Sequence, residues 1–177
     1  MSYVITGSPG TGKHTIGKIL ADNLELDITD INLLATESRL YEKTDGVIEV
    51  DTDALSKIID NTSGVIIGHL APYVVKQAKF VIVLRKSPYE LQAVYEQRKY
   101  SKEKSLENIQ AEILGIIAHD ALQTFSDLIQ IDVTGCRPDD IVSRIKNRSN
   151  STVDWLQLIS ERDDIRRFFP ERMTDLI

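Results

Sequence analysis

Short runs of consecutive apolar residues alternate along the chain with stretches in which apolar residues recur every three or four positions. Uninterrupted aliphatic and β-branched runs are typical of strands that are buried on both faces of a parallel sheet. Such runs occupy residues 3–5, 65–67, 80–84 and 128–131. The stretches between them predict amphipathic helices with one face against the sheet. This alternation predicts an α/β layered fold around a central parallel sheet.

The helical pattern starts soon after the first strand and returns between the later ones. One predicted helix has Ile16, Ile19, Leu20 and Leu24 on its apolar face, and another has Leu55, Ile58 and Ile59. Further helices are predicted over residues 30–41, 90–98, 105–122 and 138–147, with Leu106, Ile109, Ile113 and Ile117 facing the core. Asp30 is expected to cap its helix, because its side chain can accept from free amides of the first turn. Residues 47–50 predict an extended segment after a Thr44-Asp45-Gly46 turn.

A glycine-rich loop follows the first strand directly, with the sequence Gly7-Ser8-Pro9-Gly10-Thr11-Gly12-Lys13. Glycines allow backbone N–H groups to turn inward around phosphate oxygens, and Lys13 supplies a positive charge for the β and γ phosphates. The helix that begins near Lys13 adds its N-terminal dipole to the same anion site. These residues, 7–13, therefore predict a phosphate loop that binds a nucleoside triphosphate.

Composition narrows the class of protein. The chain has 177 residues, of which 42% are hydrophobic and 27% charged, as expected for one globular domain. The net charge of −6 argues against a dedicated nucleic-acid binder, and we expect no direct nucleic-acid binding. The single cysteine, Cys136, excludes an intramolecular disulfide and fits a reducing, cytoplasmic setting. No apolar stretch is long enough to span a membrane, and no signal peptide is recognised.

A polar stretch near the C-terminus divides the chain. Ser149-Asn150-Ser151-Thr152 predicts a linker between a core at residues 1–150 and a helical appendage at residues 151–177. The appendage is expected either to dock on the core or to hold a partner, and docking is the favoured alternative.

Four motifs occur in order along residues 1–135. They are the phosphate loop with Thr15, the spacing from Thr29-Asp30 to Asp51-Thr52-Asp53, the strand end Val83-Leu84-Arg85 followed by Tyr95, Arg98 and Tyr100, and the segment 104–113. As a set they resemble the adenylate kinase isoenzyme 6 family, the small nucleoside monophosphate kinases shared by archaea and the eukaryotic nucleus. The resemblance implies a three-layer P-loop NTPase fold with a short NMP-binding insert, about residues 29–53, and a short lid, about residues 97–108.

The resemblance also implies an activity. Members of the family use ATP and Mg²⁺ to transfer the γ-phosphoryl group of ATP to AMP or a related nucleoside monophosphate. Many also hydrolyse ATP and assist small ribosomal subunit maturation, which leaves an ATPase with a small-subunit ribosomal protein as partner as an alternative. A third alternative is a nucleotide-binding protein with weakened catalysis.

The family's functional residues fall on matching positions of this chain. The backbone from Gly10 through Gly12, Lys13 and His14 to Thr15 would hold the triphosphate, with Lys13 on the β and γ oxygens. Arg98 matches the lid arginine that contacts the transferred phosphoryl group, a role that suits its planar fork. Lys13 and Arg98 are therefore the expected catalytic residues. Without the resemblance, Arg98 would be interpreted as a solvated charge on a helix.

The expected magnesium contacts are altered. His14 stands where phosphate loops usually carry Ser or Thr, whose hydroxyl binds Mg²⁺. Two residues before His69, where the family has an aspartate, this chain has Ile67. Asp51 and Asp53 could replace the missing carboxylate or could only cap a helix, and capping is favoured for Asp53. The metal ligands are thus left unassigned, while the nucleotide site is retained.

Two arginines of the family are also replaced, one by Val94 and one by Leu33. Arg39, two turns after Leu33 on the predicted helix, could substitute in part. Fewer arginines lower the charge stabilisation available to a transferred phosphoryl group. The sequence therefore leaves open the balance between kinase and ATPase activity, as well as the preferred monophosphate.

Other titratable residues have open roles. For His69, a structural role in the core and a catalytic role are equally expected. His119 is expected to be structural. Lys99, Lys102 and Lys104 predict either a short mobile lid or a solvated basic turn.

Overall fold

The described part of the chain, residues 2–44 and 47–169 of a computed structural model, is organised around a parallel sheet. Its strands are β1 (Ser2–Thr6), β2 (Ile28–Asp30), β3 (Tyr41–Thr44), β4 (Val47–Val50), β5 (Gly64–Ile67), β6 (Phe80–Arg85) and β7 (Leu128–Asp132). Five of them form the sheet in the order β2-β5-β1-β6-β7, with every pairing parallel. The other two, β3 and β4, form an antiparallel hairpin.

Helices connect these strands and cover the sheet. Those in the described residues are α1 (Lys13–Leu24), α2 (Ile31–Glu37), α3 (Thr52–Ile59), α4 (Ala71–Val74), α5 (Pro88–Gln97), α6 (Lys102–Ile113), α7 (Ile116–Thr124), α8 (Pro138–Lys146) and α9 (Gln157–Glu161). A 3-10 helix, Asp163–Phe168, follows α9. None of these helices combines the length and apolar character needed to cross a membrane.

Successive residues of β1 point into two different cores. Val4 packs with residues of α2, α3, α4 and α7, whereas Ile5 packs with residues of α1 and α8 on the opposite face. The alternation follows from the two-residue period of a strand. Helices therefore cover both faces of the sheet, and the predicted α/β fold with a central parallel sheet is confirmed.

The predicted helix over residues 30–41 is too long. Asp30 caps α2 as expected, accepting from the amides of Asn32 and Leu33 at 2.8 and 3.2 Å, but α2 ends at Glu37. Arg39 then adopts a left-handed conformation with a φ of 54°, and Tyr41 begins β3. The extended segment at 47–50 is confirmed as β4. Tyr41 pairs with Val50 of this strand and therefore belongs to β3 and not to the helix. Asp45 and Gly46 of the predicted turn lie outside the described residues.

The predicted helix over residues 105–122 is two helices. The break falls at Gly115, whose φ of 67° lies in the left-handed region and ends α6. The core face consequently rotates, so that Ala118 and Ala121 rather than Ile117 are buried in α7. The cap of α3 also differs from the favoured interpretation. Asp51 accepts from the amide of Ala54 at 2.9 Å, and Asp53 lies in the first turn.

The polar stretch at 149–152 runs along the edge strand β7. Asn150 Oδ1 accepts from the amide of Gln130 at 2.7 Å, and the amide of Ser151 donates to the Gln130 carbonyl oxygen at 2.8 Å. The Ser151 hydroxyl accepts from the amide of Asp132 at 3.1 Å. Hydrogen bonds to the sheet edge therefore hold this stretch, and it leads the chain back towards α5 and α6.

Candidate functional site

The phosphate loop joins β1 to α1, and at two of its positions the backbone requires glycine. Gly12 precedes α1 with a φ of 94°, a left-handed conformation that residues with a Cβ rarely adopt. At Gly7, an added Cβ would lie 2.2 Å from the carbonyl oxygen of Leu84 in β6. The loop thus leads directly into the N-terminus of α1, where free amides and the helix dipole favour an anion.

Lys13 is the first residue of α1, and only 7% of its surface is exposed. Its Nζ donates to the carbonyl oxygens of Gly7 at 2.7 Å and Ser8 at 2.8 Å. Burial lowers the pKa of Lys13 from 10.5 to about 7, and the negative charge of Glu112 opposes this shift. The lysine is therefore tied to the backbone of its own loop, and its charge is poorly solvated.

A buried carboxylate that the sequence pattern did not reveal supports the loop. Glu112 of α6 is 2% exposed, and its Oε2 accepts from the Ser8 hydroxyl at 2.6 Å. Its Oε1 accepts from Arg85 Nε at 2.8 Å and from the backbone amide of Lys86 at 3.1 Å. Arg85, also buried, donates in addition to the backbone oxygen of Glu112 at 2.9 Å. The additional hydrogen bonds are what a buried ion pair requires.

Two signals in the sequence point to this ion pair. Glu112 lies between Ile109 and Ile113 on the apolar face of its helix, and Arg85 ends an otherwise apolar strand. A charged residue at a core-facing position needs a buried partner, since charged side chains are rarely buried alone. The pair could therefore have been inferred, although not its contact with Ser8.

A cleft of about 800 Å³ lies over the phosphate loop. Its loop side consists of Pro9, Gly10, Gly12, Lys13, His14 and Thr15. Its insert side consists of Asn32, Ala35, Thr36, Tyr41, Val50 and Thr52, and its lid side of Arg98, Tyr100, Lys104 and Asn108. His69 and Leu70 also line it. The structure thus brings the six residues expected to bind nucleotide, Gly10, Gly12, Lys13, His14, Thr15 and Arg98, to one cleft.

The lid side is fixed to the phosphate loop through aromatic residues. Arg98 is exposed at the end of α5. The rings of Tyr95 and Tyr100 stack with centroids 5.2 Å apart, and Lys104 Nζ lies 4.6 Å from the Tyr100 ring centroid. The Tyr95 hydroxyl donates to the Pro9 carbonyl oxygen at 2.6 Å. Two cations, Arg98 and Lys104, line the cleft beside these aromatic residues.

His14 contacts a carboxylate at the edge of the cleft. Its Nδ1 lies 3.3 Å from Asp30 Oδ2, while Asp30 Oδ1 caps α2. No carboxylate lines the cleft among the described residues, and no group of three or more His, Cys, Asp or Glu there could hold a metal. Asp30 at the edge of the cleft and the Thr15 hydroxyl, beside the phosphate-loop lysine, are oxygen donors on the loop side. This donor set fits Mg²⁺ only as an ion carried by phosphates and water, a mode that Mg²⁺ commonly adopts.

Apolar side chains occupy the positions where the resemblance leads one to expect charged residues. Ile67 is buried at the end of β5, and Val94 packs near Gly10, where an added Cβ would lie 3.2 Å from Val94 Cγ1. Leu33 is exposed on α2. Arg39 lies beyond the end of α2, is exposed and does not line the cleft, so its predicted place on the same helix as Leu33 is wrong.

The histidines and the predicted lid lysines differ in whether they line the cleft. His69 lines the cleft, and burial, together with the charge of Lys13, lowers its pKa to about 4, so it is neutral at physiological pH. His119 is exposed on α7, outside the cleft. Of the three lysines predicted for the lid, Lys104 lines the cleft, whereas Lys99 and Lys102 are exposed and do not line it.

Comparison with known proteins identifies relatives over nearly the whole chain. A family described as "AAA domain" matches residues 4–115. A protein of Thermococcus kodakarensis named "Putative adenylate kinase" is 32% identical over 172 residues, covering 91% of this chain and 96% of the relative. A protein of Pyrococcus furiosus with the same name is 33% identical over 172 residues, covering 91% and 94%.

Solved structures share the fold at low sequence identity. A deoxyadenosine kinase from M. mycoides, whose structure was solved with dCMP and dCDP bound, superposes with a TM-score of 0.57 at 16% identity, covering 84% of this chain and 97% of that one. A gluconokinase from Sinorhizobium meliloti gives a TM-score of 0.52 at 14% identity, covering 93% and 96%. At these identities the likeness extends to the α/β P-loop fold.

Proposed function

The chain belongs to the family of P-loop nucleotide kinases that includes these archaeal relatives, and from this premise we propose that it transfers the γ-phosphoryl group of ATP to AMP or a related nucleoside monophosphate. The closer assignment to the adenylate kinase isoenzyme 6 group is part of the proposal, and the order of the four motifs supports it. The family membership itself makes the chain a phosphotransferase of the P-loop class.

The observation that carries the proposal is a single cleft lined by both the loop side and the insert side. A triphosphate on the loop side would leave the insert side for a second ligand. That side combines hydroxyl and amide groups with the apolar surfaces of Ala35 and Val50. Such a mixture suits a nucleoside, since apolar walls hold a base and a few polar groups orient it. A simple ATPase needs no second nucleotide pocket.

Within this cleft the chain's own residues supply position and charge. Phosphoryl transfer depends on alignment of the two substrates and on neutralisation of the phosphate oxygens. Lys13 would turn from the carbonyl oxygens of Gly7 and Ser8 to the β and γ oxygens, and the amides from Gly10 to Thr15 would hold the triphosphate. Arg98, from the opposite side, would grip the transferred group with two donors at once. The insert, about 29–53, and the lid, about 97–108, enclose the two substrates in this proposal.

Mg²⁺ enters the proposal as an ion that arrives with ATP and neutralises part of its phosphate charge. Asp30 would hold it through water, and Thr15 offers a hydroxyl at the first turn of α1. His14 Nδ1 lies 3.3 Å from the same carboxylate. Its ring therefore orients the carboxylate at the edge of the cleft.

A second candidate function is ATP hydrolysis in the assembly of the small ribosomal subunit. The apolar residues Val94 and Leu33, which replace family arginines, favour it because they leave fewer charges for a second phosphate group. The ribosomal protein partner rests on the family resemblance. A cytoplasmic setting, proposed for either function, agrees with a chain that has one cysteine.

One assay separates the candidates. Purified protein is given ATP and Mg²⁺ with and without AMP, and ADP formation is followed. We expect ADP to form only with AMP, and we expect Arg98→Ala to slow this transfer about 100-fold, as removal of a preorganised charge donor commonly does. ADP formation that is equal without AMP would replace the kinase with the ATPase, and ATP binding with no turnover would indicate a binding protein.

The matched control for Arg98→Ala is Arg137→Ala. Arg137 lies before α8, outside the cleft, and pairs only loosely with Asp139 at 3.9 Å, with both side chains 82% exposed. Its removal should leave the rate unchanged. A rate for Arg98→Ala that equals that of Arg137→Ala would remove Arg98 from the catalytic assignment.

ATP binding should take up a proton above pH 7. Free Lys13 is largely neutral above its pKa of about 7, and a bound triphosphate favours the ammonium form and raises that pKa. Affinity should therefore fall as pH rises beyond 7, by at most about tenfold per unit. Calorimetric titration at pH 8 in two buffers of different ionisation enthalpy measures the uptake. His69, with its pKa of about 4, does not titrate in this range. A binding heat that is independent of the buffer would contradict the assignment to Lys13.

A further inference from the structure

The C-terminal segment, residues 155–169, packs on the two helices that support the phosphate loop. Its buried side chains share one apolar cluster with α5 and α6, formed by Ile159, Ile165, Phe168 and Phe169 with Leu91, Tyr95, Ile109 and Ile113. Gln110 Nε2 of α6 donates to the Phe168 carbonyl oxygen at 2.6 Å, which fixes the segment along that helix. Since Tyr95 also donates to Pro9 O at 2.6 Å, the segment lies one layer of side chains behind the loop.

Trp155 connects this segment to the buried ion pair. Its indole Nε1 donates to Oε1 of Glu112 at 3.1 Å, and the other oxygen of that carboxylate accepts from the Ser8 hydroxyl at 2.6 Å. The Ser8 carbonyl oxygen in turn accepts from Lys13 Nζ at 2.8 Å and from the Thr11 hydroxyl at 2.9 Å. Trp155 is therefore connected to the lysine of the phosphate loop by hydrogen bonds to Glu112 and Ser8, with the covalent frame of Ser8 joining its hydroxyl to its carbonyl oxygen.

We infer that Trp155 is a positioning residue for the phosphate loop. Through its hydrogen bond to Glu112, Trp155 holds the carboxylate that binds Ser8, and it thereby couples the C-terminal segment to nucleotide binding. The inference rests on the nucleotide site of the proposed function. It assigns Trp155 no contact with substrate. Its action passes through the orientation of one carboxylate.

The orientation of that carboxylate depends on its donors. The terminal torsion of a glutamate side chain has no sharp preference of its own, so hydrogen bonds decide it. Within residues 2–44 and 47–169, three donors, from Arg85, Lys86 and Trp155, converge on Oε1 of Glu112 and leave Oε2 facing Ser8. Two of them belong to the end of β6 and the residue after it. Trp155 is the donor contributed by the C-terminal segment, so that segment's docking is transmitted to the loop.

Coupling of this kind acts in both directions. If the position of Trp155 affects phosphate binding, then phosphate binding changes the surroundings of Trp155 to the same energetic extent. A triphosphate that draws Lys13 away from the Ser8 carbonyl oxygen alters the bonds of Ser8, and through Glu112 those of the indole. Trp155 is the single tryptophan of the chain, so its fluorescence reports this change without interference.

The first test uses the wild-type protein and tripolyphosphate, which occupies a phosphate loop and carries no ring that absorbs light. Saturation should shift or quench tryptophan emission, with a midpoint that matches the dissociation constant from calorimetry. In Ser8→Ala, where the link to Glu112 is cut, calorimetry should still detect binding but the emission change should fall to less than about half. Binding with no emission change in the wild type would overturn the inference.

The second test compares Trp155→Phe with Tyr89→Phe. Both variants keep a ring and remove one hydrogen bond that involves the C-terminal segment. Tyr89 donates to Asp164 at 3.1 Å and has no contact with Glu112 among the described hydrogen bonds. Trp155→Phe should raise the dissociation constant and KM for ATP about threefold to tenfold with a smaller change in kcat, whereas Tyr89→Phe should change neither by more than about twofold.

The outcomes distinguish this inference from the proposed function. Equal ATP affinities for Trp155→Phe and Tyr89→Phe would reduce Trp155 to a structural role, even if the protein is a kinase. If Trp155→Phe does not fold, the change in tryptophan emission of the wild-type protein on tripolyphosphate binding still tests the inference. Failure of both ATP and tripolyphosphate to bind the wild type would overturn the phosphate site and this inference together.

Discussion

Replacing Lys13 by methionine should weaken ATP binding about 100-fold and slow phosphoryl transfer by at least as much, while the fold stays intact. Loss of one preorganised charged donor at a phosphate costs about 3 kcal/mol. The effect on stability is different, because methionine has a similar length and the site is only 7% exposed. Removal of a poorly solvated ammonium offsets the loss of hydrogen bonds to Gly7 and Ser8, so the Tm should move by only a few degrees.

Lys18→Met is the matched control for this substitution. Lys18 is an exposed lysine on the same helix, α1, and does not line the cleft. It should keep the wild-type affinity in calorimetric titration with ATP and the wild-type Tm in thermal unfolding by circular dichroism. An affinity of Lys13→Met within about threefold of the wild type would contradict the assignment of the phosphate loop.

Replacing Glu112 by methionine should destabilise the protein by about 3 kcal/mol and disturb the phosphate loop as well. The substitution leaves the buried guanidinium of Arg85 without its carboxylate, and an uncompensated buried charge is costly. Arg85 keeps its bonds to Gln130 and to the backbone oxygen of Glu112, which limits the loss. In a domain of this size the loss corresponds to a Tm lower by roughly 10 °C, measured by thermal or urea unfolding.

Two further variants separate the ion pair from helix effects. Glu107→Met removes an exposed glutamate from the same helix and should change stability by less than about 0.5 kcal/mol. The double variant Arg85→Met/Glu112→Met removes both charges and should recover most of the loss. If the double variant is instead clearly less stable than Glu112→Met, the free-energy losses of the two substitutions add, and the two charges do not act as a pair.

The local features of the site could be predicted from the sequence, because each depends on residues that are close together in the chain. The phosphate loop depends on glycines and one lysine within seven positions, and β5 and β6 are apolar runs that only a doubly covered sheet can bury. Asp30 was recognisable as a cap by its place before an apolar pattern. The position of Arg98 on the cleft required knowledge of the family in addition, since an exposed arginine at a helix end carries no signal of its own.

The remaining features depend on partners that are distant in the sequence. Strand β2 has only three residues and is stabilised by its pairing with β5, so it has no pattern of its own. The break at Gly115 interrupts an apolar period that continues on both sides, because a single glycine is tolerated in a helix at modest cost. The hydrogen bond from Ser8 to Glu112 joins residues 104 positions apart. Propensity and periodicity act over a few turns and cannot predict such contacts.

The parallel sheet has a consequence for how the protein is made. Strand β1 carries the phosphate loop, yet Ser2 pairs with Gly64 of β5 and Tyr3 pairs with Phe80 of β6. Pairing over roughly sixty to eighty residues closes long loops before any contact is gained, which slows folding. A nascent chain that has exposed only β1 and α1 therefore has no neighbours for the strand and no carboxylate beneath the loop. The phosphate loop gains its supporting strands and the carboxylate of Glu112 only once α6 has been synthesised, so a nucleotide is expected to stabilise the fold late in folding rather than early.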